Sequence, residues 1–117
     1  MRTLRGFITI STISLALAIS AFGQTVLTKL DGSRVDVESQ NGKIVVLAIG
    51  ASWLPLSDKQ AEFTNALAKR YAAKNVVFYF VVTDSTNPRS KNFASNETVA
   101  KFAADRKLTM PVLRDSD

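Results

Sequence analysis

Runs of apolar residues along the chain predict five β-strands. The runs are rich in aliphatic, β-branched and aromatic residues, and they lie at residues 26–30, 34–37, 44–49, 76–82 and 108–114. The first two flank Asp31-Gly32, a dipeptide typical of a hairpin turn. The run at 44–49 is apolar at every position, which predicts a central parallel strand covered by helices.

Helical spacing predicts a first helix from Leu56 or Asp58 to about Ala73. An apolar stripe of the kind that packs on a core is predicted along it, at Phe63, Ala66, Leu67, Arg70 (through its aliphatic stem) and Tyr71. Ser57 is followed three residues later by Gln60, a capping-box pattern. Ser57 is therefore expected to cap the helix by accepting the backbone N–H of Gln60.

A second helix is predicted over residues 97–106, with Ser95 or Asn96 as its cap. Val99, Phe102 and Ala103 fall on one side of this helix and are expected to face the core. Strands alternating with helices at this spacing predict a right-handed βαβ unit, and hence an α/β domain with parallel strands.

The N-terminus has the pattern of an export signal. Arg2 and Arg5 precede a mostly apolar stretch at 7–21, and small residues at Ala21 and Gly23 supply a cleavage site. Residues 1–23 are accordingly expected to be a signal peptide, which predicts an exported protein, periplasmic or extracellular. An uncleaved membrane anchor and an ordinary buried helix are the alternatives, and the anchor would be the only expected membrane contact.

The composition excludes several classes of chemistry. The chain of 117 residues contains no Cys and no His. A Ser-His-Asp triad, an imidazole or thiolate metal site and a thiol nucleophile are therefore all impossible, and no metal or cofactor is expected. The formal net charge is +5, but the basic residues are dispersed, which argues against nucleic-acid binding.

The segment from Gly42 to Trp53 resembles the strand that carries the W-C-x-x-C motif in the thioredoxin-like superfamily. The resemblance is to the redoxin and TlpA-type secreted thiol-disulfide proteins, which are related to AhpC/TSA, and it covers about residues 26–115. Leu54 and Ser57 occupy the two cysteine positions. The resemblance implies a thioredoxin-like fold, a central mixed β-sheet flanked by helices, for residues 24–117.

Three further features follow from the resemblance. Ala48 stands where many thioredoxins carry a buried carboxylate for proton transfer, so its presence fits an inert site. Met110-Pro111 matches the family's residue followed by a cis-proline that lies opposite the Cys-x-x-Cys loop, so Pro111 is expected to be cis. The family continues with an antiparallel strand and a closing helix, so the domain is expected to be incomplete at its C-terminus.

The candidate binding surface consists of Trp53, Leu54, Pro55, Leu56, Met110 and Pro111, which we expect to contact a protein or peptide. Packing of Trp53 on the helix start, and neutral drift of a disused site, are the alternatives. For Ser57, helix capping is favoured over catalysis, since a catalytic serine would have no histidine to activate it.

Three functional hypotheses remain open from the sequence. The first is an exported thioredoxin-like domain that has lost the Cys-x-x-Cys motif, is redox-inactive and acts as a binding module. The second is a thiol-disulfide oxidoreductase or peroxiredoxin-family protein whose activity depends on residues outside these 117. The third is a degraded gene remnant without a selected role.

Overall fold

The computed structural model describes residues 25–115, so the predicted signal peptide lies outside the described residues. The elements in chain order are β1 (Val26–Lys29), β2 (Arg34–Asp36), β3 (Ile44–Gly50), α1 (Leu56–Arg70), β4 (Val76–Val82), α2 (Asn96–Asp105) and β5 (Val112–Arg114). One sheet contains all five strands in the order β2-β1-β5-β4-β3. The strands β3, β4 and β5 are parallel, whereas β1 is antiparallel to both β2 and β5. The prediction of an α/β fold with a mixed sheet is confirmed.

The β1–β2 hairpin forms where Asp31-Gly32 predicts it. Gly32 has φ of +87°, a backbone conformation that glycine adopts without steric cost. Ser33 donates both its backbone N–H (2.9 Å) and its hydroxyl (2.6 Å) to the carboxylate of Asp31. Both bonds lower the pKa of Asp31 below its ordinary value, and the bond from the Ser33 hydroxyl has the larger effect.

Within residues 25–115, β3 lies at the edge of the sheet, so the prediction that residues 44–49 form a central strand is wrong for the described part of the chain. Its parallel pairing with β4 is confirmed. The internal strands are β1, β5 and β4, and Phe80 and Val82 of β4 are fully buried. On β3, by contrast, Ile44 is 66% exposed and Ile49 is 57% exposed. The strand therefore has the composition of an internal strand and the position of an edge strand.

Helix α1 packs on the sheet mainly through small residues, and of its predicted apolar stripe only Leu67 is partly buried against the core. Its buried residues are Ser57, Ala61 and Thr64, whereas Phe63 is 65% exposed. Ala61 lies in the same core cluster as Ala48 of β3. An added Cβ at Gly50 would come within 3.0 Å of Ser57 Oγ, so the start of α1 approaches the end of β3 too closely for large side chains.

The main core lies between the sheet and the two helices. Phe80 packs against Phe102 of α2, with ring centroids 5.8 Å apart, and Val99 is fully buried beside them in the same cluster. Ser95 caps α2 by accepting the backbone N–H of Thr98 at 3.1 Å. The predicted position, cap and inward-facing residues of α2 are thus confirmed.

The prediction of a cis bond before Pro111 is wrong, because no peptide bond within residues 25–115 is cis. Pro111 immediately precedes β5, and its carbonyl accepts the backbone N–H of Phe80 at 3.0 Å. The trans bond continues the extended chain into β5, which pairs in parallel with β4. No helix in the described part of the chain is long and apolar enough to cross a membrane.

Candidate functional site

Four exposed residues connect the end of β3 to the first turn of α1. Trp53, Leu54, Pro55 and Leu56, here called the Trp53 surface, follow one another in the chain. Trp53 is 61% exposed, Leu54 36% and Leu56 69%. Three large apolar side chains within four residues, at the loop and the start of α1, form an exposed patch of the kind that marks an interaction site.

Ser57, at the second cysteine position of the resemblance, is fully buried. The prediction that it caps α1 is wrong, because the N-cap is Pro55 and no side chain caps the helix. Ser57 lies inside the helix, and its Oγ accepts the backbone N–H of Ala51 at 3.1 Å. Its role is therefore to tie the loop back onto the helix. The Ser57 hydroxyl is buried and the chain contains no histidine, so no imidazole base can activate it.

A buried carboxyl group holds the other side of the loop. Asp84, 2% exposed, accepts the backbone N–H of Ser52 at 2.7 Å on one oxygen and the Ser52 hydroxyl at 2.6 Å on the other. The sequence analysis did not identify Asp84. The available signal was its position two residues after the buried strand β4, because the carboxyl ends of neighbouring parallel strands meet at one edge of the sheet.

Arg114, at the end of β5, was also missed. It is 4% exposed, and its guanidinium donates to the carbonyls of Ala94 (2.6 Å) and Ser85 (3.0 Å) and to the Asn96 side chain (2.8 Å). These bonds fasten the segment between β4 and α2 onto the sheet, and Asp84 is the second residue after β4. Arg114 thus supports the segment that carries the carboxyl group.

Met110 and Pro111 do not join the Trp53 surface. They precede β5, whereas Trp53 follows the carboxyl end of β3, which runs parallel to β5 in the same sheet. The two groups therefore lie toward opposite ends of the parallel strands. Met110 is buried, and both residues line a groove beside Ala68, Ala72 and Phe78. The candidate surface is thus divided into two separate regions.

Leu54 and Ser57 are joined by a backbone turn and carry no thiol. The Ser57 N–H donates to the Leu54 carbonyl at 2.9 Å, closing a turn that places an exposed position three residues before a buried one. Disulfide exchange needs a thiolate to attack and a second sulfur to resolve the intermediate, and the chain contains no Cys. No cluster of potential metal ligands occurs within residues 25–115 either.

A mixed sheet with an exposed loop between a parallel strand and a helix defines an α/β protein of the thioredoxin-like class. The family model described as Redoxin matches residues 14–117, and the chain belongs to that family. The predicted membership of the redoxin branch of the superfamily is confirmed.

The relatives and the similar solved structures are thiol-disulfide or thioredoxin-like proteins. The thiol-disulfide oxidoreductases ResA of Bacillus thuringiensis and Bacillus anthracis are each 30% identical over 77 residues, covering 66% of this chain and 44% of their own length. A secreted disulfide oxidoreductase of Mycobacterium tuberculosis is similar in structure, with a TM-score of 0.63 and 24% identity over 80% of this chain and 62% of its own. A thioredoxin-like protein of Aeropyrum pernix gives a TM-score of 0.63 at 19% identity, covering 79% and 62%. The chain spans less than half the length of the curated relatives that it matches.

We predict that Ser57→Ala destabilises the domain by about 1–2 kcal/mol, because the buried N–H of Ala51 loses its acceptor. Chemical denaturation followed by circular dichroism measures the change. Ala66→Ser, which adds a hydroxyl on the exposed side of the same helix, serves as a control and should change the free energy of unfolding by less than about 0.5 kcal/mol. Equal stability of Ser57→Ala and the wild type would contradict the assigned role.

We predict that Asp84 and Ser52 are energetically coupled. Asp84→Asn should cost about 1–3 kcal/mol, because an amide cannot accept both bonds from Ser52 in the same way. Ser52→Ala removes only the hydroxyl, so a double-mutant cycle separates that bond from the rest. Hydrogen exchange should also show faster exchange at the Ser52 amide in Asp84→Asn. Strict additivity of the two substitutions would argue against the bond.

We predict that the double variant Leu54→Cys/Ser57→Cys forms an intramolecular disulfide. The turn between the two positions holds their Cα atoms within about 7 Å, and disulfides span roughly 4.4–6.8 Å. Mass spectrometry after mild oxidation, with and without a thiol-alkylating reagent, measures it. Leu54→Cys alone is the control and should remain fully alkylated as a monomer. A double variant that alkylates fully after oxidation would show that the loop no longer has the dithiol geometry.

Proposed function

We propose that the chain is an exported, redox-inactive member of the Redoxin family that binds a protein or peptide through the Trp53 surface. Two kinds of observation support this proposal. The chain contains no thiol, and three large apolar side chains stand exposed on a loop that is held in place. The proposal of export rests on the N-terminal sequence and on the description of one similar structure as a secreted protein.

The hydrogen bonds at the base of the loop are the observation that carries the binding role. The Ser57 hydroxyl accepts the backbone N–H of Ala51, and the Asp84 carboxyl accepts the N–H and hydroxyl of Ser52. Ser52 immediately precedes Trp53. An exposed apolar side chain on a rigid support loses little conformational entropy on binding, which is the advantage of a preorganised interface. Without these contacts the exposed apolar residues would move freely and bind less well.

The apolar side chains favour an apolar segment of a polypeptide as the ligand. Trp is one of the residue types that contribute most to binding energy at protein interfaces, above all where neighbouring apolar residues exclude water from it. Leu54 and Leu56 follow Trp53 closely in the chain and supply such neighbours. The candidate partner is therefore an apolar segment of an exported protein, and Met110 and Pro111 are not needed for it.

The only tryptophan of the chain is Trp53, so its fluorescence reports on this surface alone. Apolar peptides are first selected from a library by their binding to the immobilised protein. We predict that titration with the selected peptides shifts the Trp53 emission to shorter wavelength. Leu56→Ala should weaken these binders by about tenfold or more, as expected for a contact worth about 1.4 kcal/mol. Phe93→Ala, which removes an exposed aromatic residue from the loop before α2, is the matched control.

The same preparation should reduce insulin disulfides with dithiothreitol no faster than dithiothreitol alone. Selected peptides that leave Trp53 emission unchanged, or that bind Leu56→Ala and Phe93→Ala equally, would refute the binding role. Catalysis of insulin reduction above background would refute redox inactivity.

The relatives support a second candidate, an oxidoreductase activity in a longer product. Both ResA proteins are named thiol-disulfide oxidoreductases, and the chain spans 44% of their length. Activity of that kind would require cysteines beyond these 117 residues. Sequencing the gene and assaying its complete product separates this candidate from the first.

A further inference from the structure

The turn before β3 contains an Asn-Gly pair, Asn41-Gly42, that the proposed binding function does not use. The pair occupies the two central positions of a β-turn, which the Lys43 N–H closes by donating to the Gln40 carbonyl at 3.1 Å. Gly42 has φ of +74°, a conformation that glycine adopts without steric cost. Both residues of the pair are exposed, so water and hydroxide reach the turn.

An asparagine followed by glycine has a reactive pair of groups. The side-chain amide carbon of asparagine is electrophilic, and the backbone nitrogen of the next residue can close a five-membered ring with it. A side chain on that next residue hinders the approach, and glycine has none. Asn41 is the only asparagine in the sequence that precedes a glycine.

The nitrogen that closes the ring is free in this structure. Within residues 25–115 no group accepts the Gly42 N–H, and the Asn41 side chain makes no hydrogen bond. The peptide unit between the two residues can therefore rotate without breaking a hydrogen bond to this part of the chain. A Cβ added at Gly42 would meet nothing within 4 Å beyond its chain neighbours, so the approach is also sterically open.

Two other exposed asparagines lack this combination. Asn92 precedes Phe93, which carries a bulky side chain and whose N–H donates to the Ser90 carbonyl at 3.2 Å. Asn87 precedes Pro88, whose nitrogen has no hydrogen to lose. Exposure alone therefore does not make an asparagine of this chain reactive.

The remaining asparagines are held by hydrogen bonds. The side-chain oxygen of Asn65 accepts the Thr109 N–H at 3.1 Å, and that of Asn96 accepts the Arg114 guanidinium at 2.8 Å. The backbone N–H that follows Asn75 donates to a carbonyl at 2.8 Å. Asn41 thus differs from the others both in the residue that follows it and in the freedom of its reacting groups.

We propose that Asn41 is a site of spontaneous deamidation. Hydroxide removes the proton from the Gly42 nitrogen, which then attacks the side-chain carbon Cγ of Asn41. The bond from Cγ to the side-chain nitrogen breaks, and ammonia leaves after taking up a proton. The product is a cyclic succinimide, and no atom is oxidised or reduced.

Water then opens the succinimide in one of two ways. Cleavage of the bond between Cγ and the Gly42 nitrogen leaves an aspartate and restores the original main chain. Cleavage between the main-chain carbonyl carbon and the same nitrogen leaves an isoaspartate, which carries the chain onward through Cγ. Over both steps one water is consumed and one ammonia is released.

The modification adds charge at the turn and leaves the sheet in place. Either product has a carboxylate next to Lys43, and isoaspartate also adds one methylene to the main chain. Strand β3 begins after the modified residue, where the Ile44 N–H donates to the Asn75 carbonyl at 2.9 Å. The register with β4 is therefore held by contacts that the reaction does not touch.

Peptide mapping by mass spectrometry after incubation at mildly alkaline pH tests the site. The protein expressed from the full 117-residue sequence is used, and digestion with pepsin in acid prevents further ring closure during preparation. Deamidation at Asn41 should be at least about tenfold faster than at Asn92, which corresponds to a barrier lower by about 1.4 kcal/mol. Both aspartate and isoaspartate should form at Asn41. Equal rates at the two positions, or aspartate as the sole product, would overturn the proposal.

Substitutions in the turn test the role of the free nitrogen. Gly42→Ala should slow deamidation at Asn41 by about tenfold or more, since a methyl group then shields the nitrogen. Asn92→Gln is the control and should leave the rate at Asn41 unchanged. An undiminished rate in Gly42→Ala, or a slower rate in Asn92→Gln, would overturn the assignment.

Asn41→Asp reproduces one product and tests the expected consequence. Its midpoint of chemical denaturation and its Trp53 emission should equal those of the wild type, because the turn lies at the opposite end of β3 from the Trp53 surface. A change in either measurement would overturn the inference that the modification leaves the fold and the Trp53 surface intact. The rates at Asn41 are measured without any binding partner, so they stand or fall independently of the proposed function.

Discussion

The parallel register between β3 and β4 is the constraint on which the rest of the structure depends. It places Gly50 beside Val82 at the carboxyl ends of the two strands. The segments that leave these ends are then close enough for the Asp84 carboxyl to accept both donors of Ser52. A shift of one residue would turn the side chains of β3 to the other face of the sheet and separate these partners.

The hydrogen bonds that hold the loop before Trp53 therefore do not depend on sulfur. In the resemblance, Leu54 and Ser57 occupy positions of redox chemistry, yet the Ser57 hydroxyl accepts the Ala51 N–H and the Asp84 carboxyl accepts both donors of Ser52. The acceptors in these contacts are oxygen atoms, so the contacts need no sulfur. The chain can thus belong to the Redoxin family and keep an ordered, exposed apolar loop with no thiol. Binding by this loop is the function that we propose for it.

Local patterns predicted the elements that depend on neighbouring residues. The Asp31-Gly32 hairpin, the cap at Ser95 and the extent of β4 were all accessible to sequence analysis, because turns, caps and buried strands are determined over a few residues. The predicted cap at Ser57 failed for a tertiary reason. The close approach of α1 to β3 buries its hydroxyl against Ala51, so the local capping pattern was overridden.

The remaining errors concern position in the sheet. An apolar run such as 44–49 predicts burial on both faces, but it does not reveal which strands lie beside it. The placement of Met110 and Pro111 away from Trp53 depends on β5 pairing with β4 and β1, at a long distance along the chain.

The sequence by itself determined the strands and helices, the family and the absence of thiol and imidazole chemistry, because composition and short-range patterns are properties of the chain. Only the tertiary structure decided that β3 is an edge strand, that Asp84 and Ser57 hold the loop, and that the two halves of the candidate surface are apart. Each of these depends on contacts between residues distant in the sequence, and no local pattern encodes which distant partner a residue meets.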